Sequence, residues 1–524
     1  MRAGQPAFGG PCHDVVVLEA GSEARSPWIA MPAGIAKLYS HPRLNWRYRT
    51  EPEPQLDGRS LYWPRGKVLG GTSSINGMTF VRGQSADYDA WSAIAGPGWA
   101  WQNVLPYFRR LETSGLGPDP LRGSDGPMRI TAIAAPHPVS QAFMRSALRA
   151  GWKENTDYNG LSQEGIGFTQ VMMHEGRRIS AESAYLQPAR SRANLHVMTG
   201  ASVRRIVIEH GRATGVEIDR GGRREMIGAR REVLLCAGTV ASPQLLMLSG
   251  IGAASVLAGV GIPMVLDQPT VGQNLQEHVR AQLVYRTKVP TLNSEARGLR
   301  LLAHVVRYAW RRRGLLAVTA SQVNGFVRSS PEVALPDLQL VFRPSSGDYR
   351  DGAFRIHAFE GVMAMAGLLR PLSRGCIALR SADPRVPPSI VTGHLREDAD
   401  ARTLIRGIRL LRRIFAMAPL ADMIDGELRP GAGVENDAEL HRYLRASADS
   451  LYHAVGTCAM GLGSGAVTTP ELRVRGIAAL RVVDASVMPR VPSGNTAAAV
   501  LMIAEKAADL IAGRSAGEHV SMSK

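Results

Sequence analysis

The chain has 524 residues, with a formal net charge of +17, 45% hydrophobic residues and 20% charged residues. This length allows a substantial core and more than one domain, and the composition excludes a disordered chain. No run of about 18 apolar residues occurs, so no membrane span is expected. Residues 1–10 lack the basic start and apolar core of a secretory signal.

The basic charge is carried mostly by arginine. Nucleic acid or an anionic membrane surface would both suit such a charge. No basic run is interleaved with aromatic residues, so we expect a solvated arginine-rich surface and no nucleic-acid partner. The four cysteines, Cys12, Cys236, Cys376 and Cys458, lie far apart without a CxxC pair or metal-ligand spacing. We therefore expect no metal site, no disulfide framework and reduced thiols in a cytoplasmic protein.

The first predicted element is a buried parallel strand over residues 15–18, which ends at Glu19. An acidic residue at this position holds ribose hydroxyls in dinucleotide folds, with a solvated carboxylate as the alternative. In those folds a glycine-rich turn lies about 20 residues earlier, and Gly4, Gly9 and Gly10 do not form it. We therefore expect that the first β-turn-α unit is missing, most simply because the start codon was placed too late.

Residues 66–89, GKVLGGTSSINGMTFVRGQSADYD, contain the most distinctive glycine pattern. Gly70 and Gly71 have no Cβ, so the backbone can contact a flat or phosphorylated ligand. The hydroxyls and amides after them suit an anionic group at a turn or helix start, and a tight structural turn is the alternative. Residues 26–65, rich in proline and aromatics, are predicted to form an ordered cover over a groove.

Several further elements follow from periodicity and turn residues. Residues 88–111 are predicted to make helical core contacts, and a small strand meander is expected at 195–197, 203–209 and 215–219. A second buried strand spans 233–236. Ser242 and Pro243 then predict a helix start, followed by a helix over 244–248 that ends at Gly250.

The C-terminal half adds three helices and a third buried strand. An apolar helix with basic residues over 299–310 is predicted to pack on the protein, with a membrane-surface helix as the alternative. Residues 398–417 have clear helical periodicity. A strand over 480–483 ends at Asp484, and an apolar helix covers 496–511.

Three buried strands that end at acidic or glycine residues are typical of a nucleotide cofactor held at strand C-termini. Near the end of the chain, YHAVGTC contains His453, and tight Gly/Ser/Asn segments follow it. A histidine titrates near neutrality and can accept a proton. A structural histidine is the alternative.

With these motifs the chain resembles the glucose-methanol-choline (GMC) flavoprotein oxidoreductases. The first family signature matches residues 66–89, the second matches GTVASPQLLMLSGIG at 238–252, and the C-terminal pattern matches HAVGTCAMG at 453–461 with residues 480–509. The resemblance implies a mixed α/β fold. A Rossmann-like FAD-binding domain, apparently lacking its first β-turn-α unit, would join a substrate-binding domain built on an antiparallel sheet. The expected bounds are 1–115, 190–280 and 450–524 for the first domain, and 116–189 and 281–449 for the second.

The resemblance also implies a role for each matching residue. His453 would be the catalytic histidine and Asn495 the second active-site residue. Ten residues would contact FAD: Glu19 at the adenosine ribose; Gly70, Gly71, Thr72, Asn76, Gly77 and Met78 along the pyrophosphate and flavin; Val203 at the adenine; and Asp484 and Ala485 at the pyrophosphate and ribityl chain.

The implied activity is FAD-dependent oxidation of an alcohol to an aldehyde or ketone, with hydride transfer to flavin N5 and His453 as proton acceptor. A choline dehydrogenase, an FAD-containing non-redox lyase and an N-terminally truncated inactive remnant are the alternatives. Gln322 aligns where choline-oxidising relatives place a glutamate facing the trimethylammonium group, so we expect an uncharged primary alcohol rather than choline. The sequence leaves open the electron acceptor, whether oxygen, a quinone or another, and the oligomeric state.

Overall fold

The structure is a computed structural model that describes residues 13–117, 119–133, 135–350 and 352–514. The predictions made for Gly4, Gly9, Gly10 and Cys12 lie outside these residues. The described α-helices are α1 (Pro27–Ala30), α2 (Ile35–Leu38), α3 (Ser85–Ala95), α4 (Trp101–Leu111), α5 (Pro138–Arg149), α6 (Gln187–Ala189), α7 (Gly238–Leu248), α8 (Ala254–Gly259), α9 (Leu292–Glu295), α10 (Gly298–Arg311), α11 (Asp398–Phe415), α12 (Leu420–Met423), α13 (Asp437–Ser447) and α14 (Ala497–Ala512).

The described strands are β1 (Val15–Glu19), β2 (Tyr48–Arg49), β3 (Tyr62–Trp63), β4 (Glu112–Ser114), β5 (Met128–Ala132), β6 (Gly165–Phe168), β7 (Gln170–His174), β8 (Arg177–Arg178), β9 (Leu195–Thr199), β10 (Ser202–Glu209), β11 (Arg212–Arg220), β12 (Arg223–Gly228), β13 (Val233–Leu235), β14 (Ile251–Gly252), β15 (Leu266–Asp267), β16 (Val279–Thr287), β17 (Val323–Val327), β18 (Leu338–Arg343), β19 (Gly347–Arg350), β20 (Ala353–Ile356), β21 (Gly361–Leu368), β22 (Cys376–Ala378), β23 (Ser389–Val391), β24 (Ile424–Arg429), β25 (Asp449–Ser450) and β26 (Leu480–Val482).

The three predicted strands, β1, β13 and β26, are confirmed as strands in parallel pairs, but the predicted burial holds throughout only for β26; Val16 of β1 is 41% exposed. β13 pairs with β26, and β1 pairs with β9. The prediction that residues 195–197 belong to the meander is wrong. The chain turns at Gly200, which has φ of +66°, and β9 pairs with β1 instead of with the meander strands. The meander consists of β10, β11 and β12.

The largest sheet among the described residues has seven antiparallel strands, in the order β24-β16-β21-β18-β17-β6, with β25 beside β16. One face of this sheet packs against α5 and α11. The prediction of α11 is confirmed, and Gly407 brings it close to the sheet, because a Cβ there would lie 2.7 Å from that of Ala366. Side chains alternate across a strand, so the opposite face of the sheet is left for the site described below.

Helix α7 begins earlier than its turn residues predict. Ser242 and Pro243 lie inside the helix rather than at its start, which is at Gly238. Pro243 has no N–H for the carbonyl of Thr239, and the hydroxyl of Thr457 donates to that carbonyl instead at 2.7 Å. The predicted end is confirmed, since Gly250 has φ of +81° just after the helix.

The predicted helix at 299–310 forms as α10, but its apolar side does not pack as expected. Tyr308 is its buried residue, whereas the Leu299 and Trp310 side chains are 84% and 80% exposed. The helix contacts the rest of the protein mainly through Tyr308, so most of its apolar side chains face solvent. The membrane-surface interpretation of this helix therefore stays open. No described helix combines the length and apolarity that crossing a bilayer requires.

The predicted core contacts in residues 88–111 are confirmed, although the segment forms two helices, α3 and α4. Tyr88, Trp91 and Phe108 are fully buried in the larger hydrophobic core. The predicted C-terminal helix is confirmed as α14, which packs against α4. In the part of the chain that the structure describes, Cys236, Cys376 and Cys458 are free thiols.

Candidate active site

A cavity of about 1800 Å³ extends from the parallel strands to the face of the antiparallel sheet opposite α5 and α11. Residues of the 26–65 segment cover it, as predicted, through Ile35, Tyr39, Trp46 and Tyr48. The structure brings every site residue predicted from sequence to this one cavity: Glu19, Gly70, Gly71, Thr72, Asn76, Gly77, Met78, Val203, His453, Asp484, Ala485 and Asn495. Their individual contacts to a cofactor stay predictions.

The glycine turn has a backbone that side chains rarely adopt. Gly70 has φ of +84° and Gly71 has φ of +53°. Arg178 holds this turn, because its Nη1 donates to the carbonyl of Asn76 at 2.7 Å and to that of Ser73 at 3.2 Å. Burial lowers the pKa of Arg178 to about 10. Sequence reasoning missed this arginine, because a pair of arginines on a short strand does not indicate that one of them is buried and binds a distant turn.

Glu19 lies at the C-terminal end of β1, facing the cavity. One carboxylate oxygen accepts the N–H of Gly21 at 2.6 Å. Burial raises the pKa of Glu19, and this backbone bond and Lys67 oppose the rise. The position suits a ligand that offers hydroxyl groups to a carboxylate.

Asp484 binds protein groups through both carboxylate oxygens. Oδ2 accepts from the N–H of Gly238 at 2.9 Å and the hydroxyl of Ser242 at 2.5 Å, and Oδ1 accepts from the N–H and hydroxyl of Ser486. The side chain thus joins the segment after β26 to the N-terminus of α7. Both oxygens of the Asp484 carboxylate are therefore occupied by protein donors.

His453 is held by a second histidine that sequence reasoning missed. The Nδ1 atoms of His278 and His453 lie 2.9 Å apart, and Nε2 of His278 lies 3.2 Å from the carbonyl of Leu369. A carbonyl can only accept, so Nε2 of His278 carries the proton and its Nδ1 accepts from Nδ1 of His453. The Nε2 lone pair of His453 is therefore directed to Nδ2 of Asn495, 2.8 Å away in the cavity.

Both imidazoles are held in the neutral form. Burial lowers the pKa of His278 to about 4. Burial, His278 and Arg65 together hold the pKa of His453 well below its usual range. In a neutral His453 whose Nδ1 donates to His278, the nitrogen that faces the cavity is unprotonated. The signal that could have revealed His278 is the polar run Gln276-Glu277-His278 directly before the apolar strand β16.

Glu277 binds the backbone of the same histidine outside the cavity. Its carboxylate accepts the backbone N–H of His453 and lies 3.7 Å from Arg65. Burial raises the pKa of Glu277 to about 7, while Arg65 and the hydrogen bonds oppose that rise. A group that titrates near neutrality therefore adjoins the catalytic candidate, although it does not line the cavity.

Asn495 is oriented by side chains of the antiparallel sheet. Nε2 of Gln339 donates to Oδ1 of Asn495 at 3.1 Å and to Oδ1 of Asn324 at 2.9 Å. Asn324 in turn donates to the hydroxyl of Thr169 at 2.9 Å. This network directs the amide nitrogen of Asn495 toward His453. Gln339 and Asn324 both line the cavity and were not predicted.

Gln322 does not face the cavity, and the expectation that it does is wrong. Its side-chain oxygen accepts from the N–H of His137 and the hydroxyl of Ser140, both at 2.8 Å. Gln322 precedes β17 and holds the start of α5, because the first turn of a helix has free N–H groups that need acceptors. The cavity position near it belongs to Asn324 instead.

The cavity fits a long dinucleotide with a flat reactive ring. Gly71 and Gly238 both have positive φ, and a Cβ at either would meet nothing within 4 Å, so each turns bare backbone to open space in the cavity wall. Glu19 and the N-terminus of α7 lie at the end near the parallel strands, whereas His453 and Asn495 face the antiparallel sheet. An imidazole at one end of a cavity whose other end has the backbone of a nucleotide site is the arrangement of a dinucleotide-dependent oxidoreductase.

Comparison with known proteins identifies the family. Residues 13–280 and 371–504 match the two family models of GMC oxidoreductase. The chain is 41% identical over 518 residues to mitochondrial choline dehydrogenase of Mus musculus, covering 97% of this chain and 87% of that enzyme. It is also 41% identical over 507 residues to oxygen-dependent choline dehydrogenase of Sinorhizobium fredii, covering 96% of this chain and 91% of that enzyme.

Solved structures agree with this assignment. Pyridoxine 4-oxidase from Mesorbium loti superposes with a TM-score of 0.88 at 28% identity, over 97% of this chain and 96% of that one. Formate oxidase of Aspergillus oryzae, studied for FAD modification, superposes with a TM-score of 0.90 at 26% identity, over 96% and 94%. The chain belongs to the GMC oxidoreductase family. Its cofactor is FAD, and its reaction class is the oxidation of an alcohol.

Proposed function

We propose that the protein oxidises an alcohol with His453 as the base that takes the hydroxyl proton. The observation that carries this proposal is the unprotonated Nε2 of His453, which the tautomer of His278 fixes and which faces the cavity. An alcohol hydroxyl that replaces the Asn495 N–H as the donor to this nitrogen could pass its proton to the neutral imidazole. FAD, when bound, accepts the hydride that leaves the carbinol carbon.

Asn495 acts as a positioning group in this proposal. Its amide cannot serve as a base, but its nitrogen can donate to the substrate oxygen and fix the direction of the carbinol hydrogen. Gln339 holds that amide in one orientation through the 3.1 Å bond to Oδ1.

The remaining predicted residues are proposed to hold FAD. Glu19 would bind the adenosine ribose, and Val203 would contact the adenine through its backbone. The backbone of Asp484 and Ala485 would adjoin the pyrophosphate and ribityl chain. The glycine-turn residues would follow the pyrophosphate and flavin: Gly70, Gly71, Thr72, Asn76, Gly77 and Met78. The cavity wall formed by these residues supports the assignment.

The test is anaerobic flavin reduction by a panel of alcohols, measured on the purified protein with FAD. We expect the protein to bind FAD and the visible flavin absorbance to bleach with at least one alcohol. A protein that takes up no flavin would support the inactive-remnant alternative. Cyanide release from mandelonitrile without bleaching would support the non-redox lyase, the second class that retains FAD and a histidine.

Choline oxidation remains an alternative because several relatives are choline dehydrogenases. We propose a cytoplasmic location from the thiol pattern, while the mouse relative is described as mitochondrial. The domain bounds given above also stay a prediction.

A further inference from the structure

The substrate end of the cavity contains charge that an uncharged alcohol would not use. Strand β18 turns Gln339, Val341 and Arg343 into the cavity, while Leu340 and Phe342 face the hydrophobic core on the other side. Gln339 lies at the catalytic end of this row, because it binds Asn495. Arg343 lies four residues further along the strand, about 13 Å away at the rise of an extended chain.

Among the residues that the structure describes, Arg343 has neutral hydrogen-bond partners only. Its Nη1 donates to the hydroxyl of Tyr349 at 3.0 Å and its Nε to the hydroxyl of Ser321 at 3.2 Å. None of the ion pairs among the described residues involves this guanidinium. Asp348, next to Tyr349 in the chain, pairs with Arg429 and His357 instead. Both hydroxyls keep their own O–H groups, which can donate to an anion beside the guanidinium.

The surrounding residues favour an anion over a cation. Arg280 also lines this end of the cavity; it pairs with Asp449 at 2.8 Å, and its Cζ lies 5.9 Å from the ring centroid of Tyr349. A quaternary ammonium group at Tyr349 would therefore meet one arginine at the ring and another at the hydroxyl. The acidic residues that line the cavity, Asp14, Glu19, Glu232 and Asp484, lie on or beside the parallel strands.

We propose that the substrate is an alcohol that carries an anionic group, such as a carboxylate, at the end remote from the carbinol, and that Arg343, Ser321 and Tyr349 bind that group. This inference rests on the proposed alcohol oxidation. The carbinol lies at His453 and Asn495, and the distance along β18 favours several methylene groups between the two ends. A guanidinium fork matches carboxylate geometry and forms charge-assisted hydrogen bonds.

The experiment compares two alcohols that differ only at the far end, 6-hydroxyhexanoate and hexan-1-ol, by kcat/KM on the full-length protein with FAD. We expect the hydroxy acid to be preferred, and choline to be a poorer substrate than either. Arg343→Gln keeps a hydrogen-bond donor but removes the charge. It should lower the preference for the hydroxy acid about ten- to hundredfold, the usual worth of a hydrogen bond to a charged group.

Three controls separate the possible outcomes. Arg343→Lys should keep part of the preference, and Arg307→Leu, an exposed arginine on α10, should keep all of it. Hexanoate, which cannot react, should raise the Tm of the wild type more than hexanamide does, and this difference should vanish in Arg343→Gln. If Arg343 only braces Ser321 and Tyr349, the Gln variant will lower kcat/KM equally for both alcohols, and the proposal is overturned.

The proposed function and this inference fail in different ways. Bleaching by hexan-1-ol without any preference for the hydroxy acid would overturn the anionic substrate and leave the alcohol oxidation standing. If no alcohol in the panel reduces the flavin, both fall together.

Discussion

The histidine pair allows the role of His453 to be tested without altering His453. Replacing His278 with alanine removes the acceptor of the Nδ1 proton of His453, which lies 2.9 Å away in a fully buried position. The His453 ring must then leave a buried N–H unpaired or move its proton to Nε2, the nitrogen that faces the cavity. The second choice abolishes its function as a base.

The cost of an unpaired buried donor sets the size of the effect. Leaving such an N–H without a partner costs about 1–3 kcal/mol. We therefore expect His278→Ala to slow flavin reduction by about ten- to hundredfold, since about 1.4 kcal/mol corresponds to a factor of ten in rate. Flavin content should stay near that of the wild type, because His278 does not line the cavity.

The assay is the rate of anaerobic flavin reduction in a stopped-flow instrument at saturating alcohol. His278→Asn is the matched control, because its side-chain oxygen lies near the former Nδ1 position and can accept the same proton. It should recover part of the rate that His278→Ala loses. Wild-type reduction rates in a flavin-loaded His278→Ala protein would refute the tautomer argument, as would an asparagine variant no faster than the alanine variant.

Three further predictions concern His453, Glu277 and Gly70. His453→Ala should lower the flavin reduction rate at least about a hundredfold with flavin retained; an unchanged rate would remove it from the mechanism. Burial raises the pKa of Glu277 from its ordinary 4.5 to about 7. Its contribution to stability is therefore full below about pH 4.5 and is lost as the pH rises through about 7, by about 3 kcal/mol. The Tm of Glu277→Gln minus that of the wild type should increase between about pH 5 and pH 8. A difference that does not change with pH would contradict the raised pKa of Glu277. Gly70→Ala should lose flavin, because its Cβ would lie 2.5 Å from the hydroxyl of Ser74 at φ of +84°. Gly58→Ala, at φ of +73° in open space, is the control for backbone strain and should keep its flavin.

The sequence predicted most of the elements that position the site. Residues 15–18, 233–236 and 480–483 are short β-branched or apolar runs, and each forms a parallel strand close to its predicted bounds. The periodicity of residues 398–417 likewise gave α11. Local signals were less reliable at Ser242 and Pro243, where the helix continues because Thr457, distant in sequence, satisfies the carbonyl that Pro243 leaves free.

The predicted site residues were identified through family motifs, and the structure brings all of them to one cavity. The residues that were missed act through contacts between distant segments. Arg178 braces a turn about a hundred residues away in sequence, and His278 meets His453 across 175 positions. Nothing in the local pattern around either residue specifies such a partner.

The amino-acid sequence by itself determined where strands and glycine turns form, because those depend on side-chain shape and on φ at single residues. It also determined which residue types are available for proton transfer and for binding a nucleotide. Only the tertiary structure decided the tautomer of His453, the solvent exposure of α10 and the absence of a carboxylate partner for Arg343 among the described residues. Each of these depends on which distant side chains lie within a few ångströms, and chain folding alone sets those distances.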